Sequence, residues 1–144
     1  HDGGRVTEWC RTVRPGDRIA LMGPGGEWFP RADWLALLGD ETALPAIARI
    51  LEAAPAETAG IATILIGDED DIQDLRRPEG VAVRWLSRSR GDTLLEALDS
   101  LQAPQTGRLV WFAGEKSEVS AARKLLSERG FTRQEWRAAA YWAR

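Results

Sequence analysis

The sequence predicts an α/β fold built on an open parallel sheet. Short apolar runs of strand length recur at residues 34–38, 61–66, 81–86, 109–113 and 136–142, and segments of helical period lie between most of them. The run at 61–66 is close to continuously apolar and ends at Gly67, as expected of a strand covered on both faces. Strands that alternate with helices pair in parallel through right-handed crossovers.

Each element follows from local chemistry. Residues 1–30 have a different texture from the rest, with three glycines before Leu21 and the run Gly23-Pro24-Gly25-Gly26 at their end. Within them, residues 17–22 read as a strand after the turn Arg14-Pro15-Gly16-Asp17. This is too little for an independent fold. After the strand at 34–38, Ala43, Leu44, Ile47, Ile50, Leu51 and Ala54 recur at three- and four-residue spacing and predict a helix. Pro45 is compatible with its first turn, where backbone donors have no internal partner to lose. Residues 72–75 suggest a short helix before the strand at 81–86. Asp92 or Thr93 is placed to cap a helix carrying Leu94, Leu95, Leu98 and Leu101. A further helix carries Val119, Ala122, Leu125 and Leu126 and stops at Gly130.

Composition narrows the function. The chain has 144 residues, enough for one well-buried domain, and a net charge of −3 that leaves no electrostatic footprint for nucleic acid. No apolar run approaches the ~20 residues that span a bilayer, and no signal peptide is evident. These features point to a cytoplasmic protein without membrane insertion. The single cysteine, Cys10, excludes an intramolecular disulfide and a cysteine-cluster metal site within the chain. Seven tryptophans suit core packing, or a ring stacked on a planar cofactor.

In an open parallel sheet, ligands bind beyond the carboxyl ends of the strands, so the strand exits hold the candidate site. At Gly39-Asp40-Glu41-Thr42 a glycine turn leads into a helix start, where free N–H groups and the helix dipole favour an anion. Gly39 is expected to take a positive φ or let a ligand approach the backbone, and Asp40 or Thr42 to cap the helix. A plain capped turn explains the same spacing, which is not G-x-G-x-x-G. Gly67-Asp68-Glu69-Asp70-Asp71 reads as a solvated loop or as partners for ribose hydroxyls or a metal. Ser87-Arg88-Ser89-Arg90 offers hydroxyls and guanidinium forks that suit a phosphate monoester, and equally a basic surface loop. At Ala113-Gly114-Glu115, glycine would let a flat ring lie close to the backbone and Glu115 would accept a hydrogen bond from it, or the segment is a turn with an acid at a helix start.

At these exits the chain resembles the siderophore-interacting proteins, flavin- and NAD(P)H-dependent ferric-siderophore reductases related to ferredoxin–NADP reductases. The resemblance rests on the stretch Gly39-Asp40-Glu41-Thr42-Ala43-Leu44-Pro45-Ala46-Ile47. It is supported in order by Pro15-Gly16-Asp17, by Gly23-Pro24-Gly25-Gly26, by Trp111-Phe112-Ala113-Gly114-Glu115 against V-W-x-A-G-E, and by Tyr141-Trp142 against G-Y-W-R-x-G. Residues 1–9 are similar to the family's H-G-x-G-P-A-S-x-W, with Val6-Thr7 in place of Ala-Ser.

The resemblance implies a Rossmann-like nucleotide-binding domain over residues 31–144, preceded at 1–30 by the last part of a flavin-binding barrel and a linker. It implies that Gly39, Asp40, Glu41 and Thr42 hold the NAD(P)H pyrophosphate. Ser87 and Arg88 would take a 2′-phosphate, favouring NADPH over NADH, and Ala113, Gly114 and Glu115 would lie near the nicotinamide. Gly4 and Thr7 would touch the phosphates of FAD. The family's upstream motif R-x-Y-T-x-R is absent, so a fragment, a cleaved product or a split protein is implied, with the flavin held mostly by a flavin-binding domain outside these residues. The reaction implied passes a hydride from NAD(P)H to FAD and electrons on to iron(III) in a ferric siderophore, in iron acquisition. No acid, base, nucleophile or metal ligand is implied; the cofactors carry the chemistry. An anionic siderophore calls for a basic cleft, to which Arg137 and Arg144 would contribute unless they are ordinary surface arginines. A nucleotide-binding module without turnover, completed by a separate flavin subunit, and a siderophore-binding domain remain as alternatives.

Overall fold

The computed structural model describes residues 5–20 and 31–144. Helix α1 (Arg5–Thr12) buries none of its residues. The turn expected at Arg14–Asp17 forms, with the Asp17 carboxylate accepting from the Arg14 N–H at 2.8 Å. Of the strand expected at residues 17–22, the described part, residues 17–20, is exposed and carries no regular structure; a strand needs a ladder partner or a buried face. Residues 21 and 22, like Gly4 and the Gly23-Pro24-Gly25-Gly26 segment, lie outside the described residues.

From Trp34 onward the predicted architecture is present. Five strands, β1 (Trp34–Asp40), β2 (Ala59–Ile66), β3 (Val81–Ser87), β4 (Arg108–Glu115) and β5 (Trp136–Trp142), form one sheet in the order β3-β2-β1-β4-β5. Every neighbouring pair is parallel. Both faces are covered, which is why the central strands are apolar along their length. Leu35 and Leu37 of β1 pack with Ile64 of β2 and with Leu44, Ile47 and Leu51 of helix α2 (Leu44–Ala53). On the other face, Ala36 and Leu38 meet Leu98 of α3 (Leu94–Asp99) and Val119, Ala122 and Leu126 of α4 (Lys116–Glu128). The alternation of β1 residues between these two clusters is the pleat of the strand read out in packing.

The helices end where their chemistry says they should. Helix α2 carries Pro45 in its first turn and stops at Ala54, which is extended (ψ 140°) ahead of Pro55. Thr93 caps α3, its hydroxyl accepting from the Glu96 N–H at 3.2 Å. The short helix expected at residues 72–75 is replaced by a 3-10 turn at Glu69–Asp71. There the Asp68 carboxylate accepts from the Asp70 N–H at 3.0 Å, a local bond that competes with helix extension. Leu75 is still buried, in a segment without regular structure that Arg77 ties to the carbonyls of Leu75 and Val81.

Between β4 and β5 the register slips at Gly114/Glu115: Ala140 faces Gly114, and Trp142 faces Glu115. Tyr141 is the extra residue, a bulge of the kind that re-aims a side chain at a strand end.

Candidate functional site

In the order β3-β2-β1-β4-β5 the sequence of strands runs outward one way from β1 and the other way from β4, which places the topological switch point, and the crevice it makes, at the carboxyl ends of those two parallel strands. Gly39, Asp40, Ala113 and Gly114 stand there. Ser87 and Arg88 leave the same edge from β3, and Trp142 arrives at it from β5.

Asp40 organises this edge. It is fully buried, and its carboxylate accepts from the Thr42 N–H at 3.0 Å, the Thr42 hydroxyl at 2.5 Å and the Trp142 indole N–H at 2.8 Å. The Arg88 guanidinium stands 3.9 Å away. The backbone at the α2 start is closed as well: Ala43 N–H donates to Asp40 O at 2.9 Å, Leu44 N–H to Glu41 O at 3.4 Å, and Pro45 has no N–H. Asp40 itself therefore answers the donors at positions 42 and 43 that the sequence offers to an external anion.

Gly39 is the buried penultimate residue of β1 and does not take a positive φ. A Cβ built there would meet the Ala43 Cβ at 2.6 Å and the Ala113 carbonyl at 3.1 Å. The glycine lets α2 start close against the sheet, and the expected glycine turn with access for a ligand is absent. At Gly114 an added Cβ would lie 3.2 Å from the Asp40 carboxylate, so this glycine makes room for Asp40. The Ala113 side chain is buried in the α2-side core and does not face the crevice.

Glu115 is the cap of α4. Its carboxylate accepts from the Ser117 hydroxyl, from the Ser117 N–H at 2.6 Å and from the Glu118 N–H at 3.3 Å. The Ser117 hydroxyl bond foremost, then these N–H groups, hold its carboxyl below the usual range against the opposing effect of burial. Glu118, one turn into α4, behaves oppositely: burial raises its carboxyl, Asp40 and Glu115 add to this, and Arg88 and Arg144 oppose it.

The β3 exit is more open. Ser87 is buried, its N–H donating to the Asp92 carboxylate at 2.8 Å and its hydroxyl lying 2.7 Å from that of Ser89. The exposed hydroxyl is thus that of Ser89, two residues on. The Ser87 N–H is also the main reason the Asp92 carboxyl is lowered, with Arg90 assisting. Arg88 reaches across the edge to Glu41 at 2.9 Å, and Arg90 pairs with Glu69 at 2.8 Å and Asp92 at 3.3 Å. The acidic stretch after β2 is an exposed loop whose Asp68 closes its own turn.

The structure thus brings Gly39, Asp40, Glu41, Thr42, Ser87, Arg88, Ala113, Gly114 and Glu115 to one edge. Of the two flavin candidates, Gly4 lies outside the described residues. Thr7 sits on α1, a helix without a buried residue, and takes no part in the bonds of the edge. Arg137 binds the carbonyls of Arg133 and Trp136, and Arg144 lies 6.0 Å from the Trp142 ring, beside the site. Sequence reasoning missed Trp142 as a donor and Glu118 as a neighbour. The second had a signal: Glu115 and Glu118 stand at capping-box spacing.

Chemically, the β3 exit fits a phosphate monoester, since the Arg88–Arg90 turn presents a hydroxyl and two guanidinium groups. Among the described residues, no group of three His, Cys, Asp or Glu side chains is placed to hold a metal, and no helix is long and apolar enough to cross a membrane.

Comparison with known proteins agrees with the architecture. The family described as siderophore-interacting protein matches residues 32–144. Ferric vibriobactin reductase ViuB of Vibrio cholerae is 33% identical over 144 residues, covering 94% of this chain and 53% of that protein. NADPH-dependent ferric-chelate reductase of Escherichia coli is 28% identical over 147 residues, covering 99% of this chain and 58% of that protein. Among solved structures, a siderophore utilization protein from T. fusca superposes with a TM-score of 0.87 at 38% identity, covering 100% of this chain and 58% of that one. The chain spans little more than half the length of each of these relatives.

Proposed function

The chain belongs to the siderophore-interacting protein family, and on that basis we propose that it is the NAD(P)H-binding part of a flavin-dependent reductase of ferric siderophores. The observation that carries the nucleotide reading is the Arg88 guanidinium. It is held across the carboxyl edge of an open parallel sheet, from the β3 exit to the β1 exit, with a third of its side chain exposed. Relatives named as ferric reductases, one of them NADPH-dependent, support the same reading.

Arg88 and Ser89 would take the 2′-phosphate of NADPH. Glu41 and Thr42, exposed beside the α2 start, would line the path of the diphosphate, with buried Asp40 fixing that rim. Gly114 and Glu115 would border the nicotinamide end, Glu115 through the α4 start that it caps. When bound, the nicotinamide supplies a hydride to FAD, and the flavin supplies electrons to siderophore-bound iron(III), which is the substrate. The FAD would be held mostly by a flavin-binding domain of which residues 1–30 would be the last part and the linker. The part of this chain is to bind and orient the nucleotide; none of its side chains is assigned a proton transfer.

The test is binding to the purified chain. NADPH should raise Tm, because a ligand of the folded state alone stabilises it. Arg88→Ala should weaken NADPH by about 10- to 100-fold, the span of charge-assisted bonds, and spare NADH. Absence of a shift with both nucleotides removes the reading and leaves a siderophore-binding module. Ferric reduction that appears only on adding a flavin-binding partner would place the turnover in the assembled protein.

A further inference from the structure

Every guanidinium at the β3 exit already has an anion. Arg88 holds Glu41 at 2.9 Å and stands 3.9 Å from Asp40; Arg90 holds Glu69 and Asp92. Two cations thus face four carboxylates, so an incoming phosphate monoester meets cations that are already neutralised. The two partners of Arg88 differ in kind. Asp40 is fully buried and bound by Thr42 and Trp142. It cannot leave. The Glu41 side chain is 44% exposed, and its one hydrogen bond given by the structure is to Arg88. It can swing into water, and an exposed pair of this kind is weakly held.

We propose that Glu41 sets the nucleotide preference of this site, competing as an internal anion for the Arg88 guanidinium. A 2′-phosphate can engage Arg88 fully only by displacing Glu41, whereas a nucleotide without that phosphate leaves the pair intact. The carboxylate therefore lowers affinity for the phosphorylated cofactor alone and narrows the gap between NADPH and NADH. The Asp40 carboxylate keeps Arg88 at the edge during the exchange. This inference rests on the nucleotide reading above.

The experiment is calorimetric titration of the folded chain with adenosine 2′,5′-bisphosphate and with 5′-AMP. In Glu41→Gln the ratio of bisphosphate to 5′-AMP affinity should rise about two- to fivefold, the factor an exposed ion pair is worth. The gain should vanish when Arg88→Ala is added, since the competition needs the guanidinium. A ratio that is unchanged or lower in Glu41→Gln overturns the proposal. So does a gain that survives in the Arg88→Ala background, which would mark a general loss of negative charge. If 5′-AMP and NADH bind and only these arms fail, the nucleotide reading stands without the competition. If no nucleotide binds the wild-type chain, both fall.

Discussion

The exits of β1 and β3 lie at the same edge of the sheet and are built in opposite ways. At β1, Gly39 and Asp40 are buried, and the carboxylate is engaged by Thr42 and Trp142. At β3, Arg88, Ser89 and Arg90 are at least partly exposed, and their charged groups are held by ion pairs that a ligand can replace. Gly39 and Asp40 are thus framework, while residues 88–90 keep their polar groups accessible.

The sharpest way to break this contrast is Asp40→Ala. It strips buried donors of their acceptor and opens a void, so a loss of about 2–4 kcal/mol is expected, read as a fall in the denaturant midpoint. A loss below the reach of the measurement would show that the β1 exit is not framework. Gly39→Ala comes next, because the new methyl must push the α2 start away from the sheet. Overpacking of this kind costs about 1–3 kcal/mol, and an unchanged midpoint would mean that the helix shifts freely. At the β3 exit, Arg88→Ala should cost no more than about 1 kcal/mol, since its pair with Glu41 is exposed and the buried Asp40 carboxylate, 3.9 Å from it, stays bound by Thr42 and Trp142. A larger loss would make Arg88 framework too and erase the difference.

The smallest effect is a matter of pH. The Glu118 carboxyl is raised, by burial first, so its charged form is disfavoured in the folded state. The folding penalty is present above the folded pKa and disappears as pH falls below the unfolded value, where the group is protonated in both states. Glu118→Gln should therefore raise Tm slightly at pH 7, with the difference fading toward pH 4. Glu115 runs the other way. Its lowered carboxyl stabilises the fold above the unfolded value and loses that contribution as pH falls through the folded one. An equal Tm difference for Glu118→Gln at both pH values would show that Glu118 acts through shape and not charge.

Much of the fold was legible because each strand carries an apolar run and each long helix a three- to four-residue period. The five strands from Trp34 onward and their parallel pairing match the sequence reading. Two short elements did not: residues 17–20 lack a partner for a strand, and at residues 69–71 an aspartate side chain held the backbone in a 3-10 turn. At the site, the segments were legible and the atoms were not. Whether Ser87 or Ser89 faces water, or Ala113 faces the core, depends on the parity of the strand and on where its ladder ends. Asp40 read as a cap or clamp because nothing local reveals that an indole from the last strand completes its shell.

That indole has a kinetic consequence. The Trp142–Asp40 bond joins positions 102 apart in sequence, a loop far longer than those that close β1 on β2. Contacts of such separation form late, after nearer pairings have met the entropy of closure. A contact absent from the transition state acts on the escape rate from the native state and leaves its formation rate alone. Trp142→Phe should accordingly steepen the loss of the folded chain with time while refolding proceeds at its former speed, and slower refolding would place the last strand in the nucleus. The bond then works as a latch set at the end of folding, making the β1 edge persist.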